Sequence, residues 1–377
     1  MKILIVCDSF KETFSTFQVN QIICDVIYDN VPNINCTQIP ISDGGEYALE
    51  VTMQKKGGIR EQIDTTNAIG IPINSDILIC DDFILVEAQK IIGLNQIPIE
   101  KRNPMYTTTL GLGNVIKFVK NHHPNRKLIV TLGGSATCDA GIGMLKGLGF
   151  KFYDVNKNEL IPNGESLKYI NDILIPNDFS SYPDLYVLTD VKNKLYGKHG
   201  AAYTFAYQKG ANDLEVKHLD EGLMNLSNIF KNKMHIDLQG ITGGGSAGGL
   251  GACLAGILGA KLISGVDWFS EMLDLEDEIK NSDIIISGEG RLDKSTWDGK
   301  VINYLSIMTK KYNKQLYVVC GSIDDDIDYH INKGVNRIFP CFDKKVSLQE
   351  IKENANNELI NTVKSRTCPA IIEFLKK

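Results

Sequence analysis

Three short apolar runs, Ile3 to Cys7, Ile284 to Ile286 and Leu316 to Val319, each end in a polar or glycine-rich turn. Continuous rather than alternating apolar runs of this length mark strands buried on both faces of a parallel sheet. Each is followed by residues with helical spacing: Thr16 to Tyr28, Val301 to Tyr312 and Ile327 to Lys333. Strands alternating with helices predict an open α/β sheet, and the shared rhythm of the two chain ends predicts that they build one domain together. The middle reads differently. Asp76 to Glu87 holds two apolar runs split by Asp81-Asp82, which predicts a hairpin. Lys127 to Leu132 and Leu185 to Leu188 predict buried strands, and Gly248 to Gly259 predicts a helix of small residues. Leu348 to Lys377 has helical spacing with Pro369 as a break. The expected architecture is therefore two α/β domains. Residues 1–65 and 285–377 form one with an open, mostly parallel sheet, and residues 66–284 form a second, inserted one.

Composition narrows the classes without naming a function. The 377 residues exceed the usual single-domain size. A formal net charge of −6 argues against a nucleic-acid or anionic-membrane surface, both of which need a net basic face. No run approaches the roughly 20 apolar residues that cross a bilayer. Met1-Lys2 leads straight into an apolar run too short for a secretory leader, so a cytoplasmic protein is expected. The nine cysteines lie singly with no CxxC pair, which fits reduced core thiols and not zinc or redox motifs. No histidine lies at metal-ligand spacing from a second ligand.

Candidate chemistry collects where the buried strands end, since loops there are exposed yet rigidly held. Asp8-Ser9-Phe10-Lys11 follows the first strand, and Ser42-Asp43-Gly44-Gly45-Glu46 lies in the next polar segment. Gly133-Gly134-Ser135-Ala136-Thr137-Cys138-Asp139 follows a third apolar run, and Thr189-Asp190 a fourth, with Gln208-Lys209-Gly210 downstream. Two more are Gly243-Gly244-Gly245-Ser246 and Ser287-Gly288-Glu289-Gly290-Arg291-Leu292-Asp293, the latter trailed by Gly299-Lys300. Glycines let backbone N–H groups approach an anion, and a helix starting just beyond adds its positive end. Any single run is equally a tight turn or a close helix contact, and Arg291 with Asp293 is equally a surface ion pair. Together they supply what phosphoryl transfer needs: donors for phosphate, cations for developing charge and carboxylates for a metal or a hydroxyl. A P-loop is excluded because Lys294 stands where its first glycine belongs, and no protein-kinase HRD or DFG triplet occurs. The GxGxxG match at Gly243 to Gly248 lacks a preceding buried strand and the later acid of a dinucleotide fold.

The ordered series DSFK, DGGE, Lys101-Arg102-Asn103-Pro104 with Thr107 to Thr109 and Gly111 to Gly113, GGSAT, QKG, GGG-SAGGLG and SGEGRLD…GK closely resembles the type-1 glycerate kinases. The resemblance runs from residue 2 to about residue 320. It implies transfer of a phosphoryl group from ATP, with Mg²⁺, to a hydroxyl of D-glycerate, 2-phosphoglycerate being the commoner product. It implies a flavodoxin-like domain from both chain ends and a middle domain likened to restriction endonucleases. On this reading Asp190, Lys11 and Arg291 are the expected catalytic residues. Asp8, Ser9, Gly133, Gly134, Ser135, Thr137, Gly244, Gly245, Ser246, Glu289, Asp293 and Lys300 are expected to bind substrate or phosphate, and Asp43 the metal. Partners are expected to be small molecules, with a homodimer among the assemblies considered. The family pattern has glycine where Tyr47 and Ala140 stand, asparagine at Cys138, an acid at Lys192, and Gln-Thr at Ser295-Thr296. The alternatives are an NAD(P)-dependent hydroxy-acid dehydrogenase and an inactive glycerate- or nucleotide-binding protein.

Overall fold

The computed structural model describes residues 1–177, 179–180, 182, 184–324, 326–342 and 346–376. The chain opens with β1 (Lys2–Cys7) and β2 (Asn35–Gln38). It continues through β3 (Ile59–Thr66), β4 (Pro72–Ile79), β5 (Phe83–Glu87), β6 (Lys127–Thr131), β7 (Lys151–Tyr153), β8 (Asp172–Leu174), β9 (Leu185–Leu188) and β10 (Lys261–Ile263). It closes with β11 (Ile284–Leu292), β12 (Gln315–Ile323) and β13 (Arg337–Pro340). These elements belong to two compact α/β units, Met1–Asp43 with Gly265–Lys377, and Gly44–Ser264. The limits at 43/44 and 264/265 differ from the 65/66 and 284/285 read from sequence. β3 falls on the first-domain side of the expected limit as far as Thr65, yet its antiparallel pairing with β4 ties it to the second unit.

The first unit carries a five-stranded sheet in the order β13-β12-β11-β1-β2, with every pair parallel. Counted along this unit alone the order is 2-1-3-4-5, the doubly wound, flavodoxin-like order. Its switch point lies between β1 and β11. Ile3, Ile5 and Cys7 of β1 are fully buried beside Val19, Ile23 and Ile27 of the helix Thr16–Asn30. Those three recur every fourth residue, so one helix face covers the strand. Ser15 starts that helix with a capping box: its hydroxyl accepts the Gln18 N–H, and the Gln18 side chain accepts the Ser15 N–H.

The second unit carries a six-stranded sheet, β10-β9-β6-β5-β4-β3, and the antiparallel pair β7-β8. β5, β6, β9 and β10 run parallel, while β3–β4 and β4–β5 are antiparallel, the latter being the hairpin predicted at Asp81-Asp82. The 22-residue helix Asp213–Met234 is the largest element not anticipated from sequence, although Asn212 and Glu215 form its capping box. The expected helix of small residues shortens to Leu250–Gly256, because Ala247 and Gly248 adopt φ of +49° and +68° and start it late. Pro369 does not break the C-terminal helix. Leu348–Thr362 passes through a π-turn at Val363–Thr367 into Cys368–Leu375, whose first turn tolerates a missing N–H. The expected last helical residue, Lys377, lies outside the described residues.

Candidate active site

In doubly wound sheets, ligands bind beyond the carboxyl ends of the strands at the switch point. There the first unit has a cavity of about 660 Å³ lined by Asp8, Ser9, Lys11, Asp43, Glu289, Arg291, Asp293, Lys300 and Asp324, among others. Cys7 pairs with Gly288, and the Asp8 N–H donates to the Gly288 carbonyl at 3.0 Å, so Asp8 leaves β1 beside Glu289 of β11. The half-buried Asp8 carboxylate accepts the Ser9 N–H at 2.7 Å. Burial and the neighbouring Asp43 and Glu289 charges hold Asp8 well above the ordinary carboxylate range, with the Ser9 N–H and Lys11 opposing. An acid held against like charges at a switch point is a site seeking a cation.

Glu289 is buried, and its carboxylate accepts the Thr296 hydroxyl and the Lys300 ammonium, the latter at 3.3 Å. Burial still raises it above its ordinary value. Thr296 in turn accepts the Asp293 N–H at 3.2 Å, which locks the turn Lys294–Trp297 onto the end of β11. Partial burial works to raise Asp293, but the Ser295 N–H and hydroxyl, at 2.8 and 2.6 Å, bring it below the ordinary range. The exposed Arg291 pairs with Asp324 and lies 3.8 Å from Asp293. The helix Val301–Lys311 begins at Lys300 with no side-chain cap. Unlike the helix capped by Ser15, it leaves its first N–H groups without a side-chain acceptor, as an anion site requires.

The second unit gathers its own set at the carboxyl ends of β5, β6 and β9. Glu87 ends β5, Gly133 and Gly134 follow β6, and the half-buried Asp190 follows β9. A Cβ on Gly133 would lie 2.4 Å from the Gly45 Cα, so the Gly44-Gly45 turn packs against this loop only because residue 133 is glycine. Lys209 is buried and donates to the Ser135 hydroxyl at 3.1 Å and the Thr137 carbonyl at 2.8 Å; burial lowers it to about 8. The Thr137 hydroxyl is buried with no hydrogen-bond partner.

The run Gly243 to Ser246 is differently placed. Gly244 donates to Ile241, Gly245 to Asn193 and Ser246 to Gly243, each N–H ending on a backbone carbonyl. The Ser246 hydroxyl also donates to Gly243 at 2.8 Å. These donors are engaged inside the protein, and a Cβ on Gly245 would lie 2.4 Å from the Lys194 carbonyl. Close packing explains this run without a ligand.

Glu87, Lys209, Thr296 and Asp324 were not among the expected site residues. Glu87 directly ends the apolar run Phe83 to Val86, the same signal that selected Asp190. Lys209 stood in view beside a glycine, but its burial appears only in three dimensions. Burial pushes Glu87 up to about 7, Lys90 opposing and Glu50 and Glu46 adding. Because the folded value lies above the ordinary 4.5, the protonated form favours folding; that stabilisation is whole below about 4.5 and lost as pH rises through about 7. Glu87→Gln is therefore expected to gain melting temperature over the parent as pH rises across this window. A difference independent of pH in thermal melts would contradict the assignment.

Two departures from the family pattern share a backbone cause. Tyr47 and Ala140, standing where the pattern has glycine, adopt φ of +61° and +51°. Side chains there cost about 1–2 kcal/mol relative to the right-handed region, partly offset by the extra chain entropy that glycine would lose on folding. Tyr47→Gly and Ala140→Gly are each expected to stabilise by about 0.5–1 kcal/mol, read from the urea midpoint at unchanged slope.

A doubly wound sheet with acids, lysines and an open helix N-terminus at its switch point defines an α/β enzyme built for a small anionic ligand. Residues 3–368 match the glycerate kinase family, and the chain belongs to that family. It is 34% identical to glycerate 2-kinase of Escherichia coli K12 over 95% of each chain, and 31% identical to glycerate kinase of Bacillus subtilis 168, covering 100% of this chain and 99% of that one. Among solved structures, one assigned as glycerate kinase 2 from Salmonella typhimurium LT2 superposes with a TM-score of 0.77 at 29% identity, covering 100% of this chain and 99% of that one. Among the described residues no helix is long and apolar enough to cross a membrane.

Proposed function

We propose that the chain transfers the γ-phosphoryl group of ATP to a hydroxyl of D-glycerate, the 2-hydroxyl in preference to the 3-hydroxyl. The observation that carries the reading is the acid–lysine cavity at the switch point of a chain that matches the family over residues 3–368. The 2-position follows the name of the Escherichia coli relative. In the first unit, Lys300 and the open N-terminus of the helix Val301–Lys311 are suited to a phosphate group, with Lys11 and Arg291 as cations for a carboxylate or a transferring phosphoryl group. Glu289 and Thr296 position Lys300 rather than touch substrate. In the second unit, Asp190 is the proposed acceptor of the hydroxyl proton, and Gly133, Gly134, Ser135 and Thr137, braced by Lys209, form the proposed polar loop for substrate.

Among the described residues, no three His, Cys, Asp or Glu side chains form a group able to hold a metal ion. Asp8 and Asp43 nevertheless fit Mg²⁺ bound in its usual kinase mode, through one or two carboxylates plus phosphate oxygens and water. Bound there, Mg²⁺ would neutralise charge on the phosphates and relieve the repulsion that raises Asp8.

A coupled assay of ADP release tests the reading against the dehydrogenase alternative. ATP with D-glycerate is expected to give sustained ADP release, and NAD(P) with D-glycerate no change in nicotinamide absorbance. The reverse pattern would replace the proposal, and ligand-dependent thermal stabilisation without ADP would make the chain a binding protein.

A further inference from the structure

β3 is an edge strand of the second unit's sheet, paired with β4 on one side and, among the described residues, with no strand on the other. It is eight residues long. A bare edge of that length presents unpaired N–H and C=O groups that template another strand, and proteins usually shorten, bulge or interrupt it with proline. β3 has none of these three, although Arg60, Glu61 and Asp64 give it the charges that also guard edges. It holds no proline, and its register with β4 runs without a bulge from Ile59↔Ile79 to Thr66↔Pro72.

The backbone phase of this edge can be read from the turn. Asn67 N–H donates to the Ile71 carbonyl at 2.8 Å, which makes 67 and 71 a bonded pair. Bonded and non-bonded pairs alternate along an antiparallel ladder, so Thr65, Ile63 and Glu61 spend their backbone groups on β4. The N–H and C=O groups of Arg60, Gln62 and Asp64 then point to the open side. The side chains of these same three residues lie on the exposed face of the strand, while Ile63 and Thr65 are buried.

We propose that β3 is a self-pairing interface: a second copy of this chain adds its own β3 antiparallel to this one, centred on Gln62, to continue the sheet across a dimer. That register sets Gln62 against Gln62 of the second copy, and Arg60 and Asp64 each against the other. All three pairs use the outward backbone groups, and both flanking pairs bring opposite charges face to face. Two independent features therefore select one register, the backbone phase and the order of charge. Within its own chain Arg60 lies 3.3 Å from Glu50 and 3.4 Å from Asp76, long for charge-assisted bonds, and Asp64 accepts the Asn74 amide at 3.0 Å. Neither end of the pair is saturated by these contacts.

Sedimentation of the full chain at micromolar concentrations tests the interface. The parent is expected to be a dimer. Arg60→Asp and Asp64→Arg each place like charges opposite one another and are expected to weaken self-association about tenfold or more. The double variant R60D/D64R restores opposite charges and is expected to restore the dimer, a rescue that general destabilisation would not give. Gln62→Pro removes an N–H that the ladder phase turns to the open side, and prolines are tolerated at such edge positions, so it is expected to stay folded by circular dichroism and sediment as a monomer. A monomeric parent, single charge variants that associate as tightly as the parent, or a dimeric Gln62→Pro would each overturn the proposal.

Discussion

Asp8→Asn and Asp190→Asn are each expected to lower kcat by about two to four orders of magnitude, and Asp8→Asn to raise stability as well. Asn at position 8 keeps an oxygen that can accept the Ser9 N–H, a bond of 2.7 Å in the parent, so the turn after β1 survives. What it removes is a negative charge. Burial and the charges of Asp43 and Glu289 hold the Asp8 carboxyl above its ordinary range, so its ionised form opposes folding at neutral pH. The neutral amide lifts that cost, and Asp8→Asn should melt higher than the parent while losing turnover. A gain in stability with a loss of activity is the signature of a strained functional acid. If Asp8 served only the turn, the variant would keep its turnover. Asp190→Asn removes the proposed acceptor of the hydroxyl proton and should lose turnover with its fold intact by circular dichroism. Near-normal turnover would remove Asp190 from the mechanism.

The largest loss of stability is expected at Asp139. This carboxylate is fully buried and accepts four hydrogen bonds: the Thr109 N–H and hydroxyl, both at 2.8 Å, the Gly141 N–H at 3.1 Å and the Gly143 N–H at 3.2 Å. Together they tie the loop after β6 to the start of the helix Leu110–His122. Burial raises Asp139, and these bonds, from Thr109, Gly141 and Gly143, hold it down. Asp139→Ala strands four buried donors at once. Each costs about 1–3 kcal/mol when unsatisfied, and the shared site makes the sum less than additive, so a loss of about 4 kcal/mol is expected. Asp139→Asn keeps a single acceptor oxygen and should lose less. Chemical denaturation of the three proteins, followed by circular dichroism, checks the order; an alanine variant within 1 kcal/mol of the parent, on the scale of an ordinary surface change, would contradict it.

The central strands of the first unit were legible because a central parallel strand must be apolar on both faces, as Ile3 to Cys7 and Leu316 to Val319 are. β2, β3 and β13 were not legible. Asn35 to Gln38 is polar, and Ile59 to Thr66 is half exposed as an edge must be, so neither makes an apolar run. Much of the switch-point cavity could be found from sequence, as with Asp8 directly after β1, Asp293 directly after β11 and Lys300 directly before a helix, whereas Asp324 directly after β12 was missed. Glycine was the ambiguous signal. Gly134 is exposed at the end of its loop, whereas Gly244 and Gly245 are buried with their N–H groups engaged; the two runs look alike as letters. The pairing of Glu289 with Thr296 and Lys300, and of Lys209 with Ser135, depends on side chains meeting across turns. Periodicity carries no record of such meetings.

Phosphoryl transfer to a hydroxyl of glycerate is read directly by NMR of the reaction product. Incubation with ATP, Mg²⁺ and D-glycerate is expected to give ADP together with an equal amount of a phosphate monoester whose phosphorus couples to the C2 proton of glycerate. Coupling to the C3 protons would keep the kinase and move the position, whereas unchanged ATP and glycerate under these conditions would contradict the account.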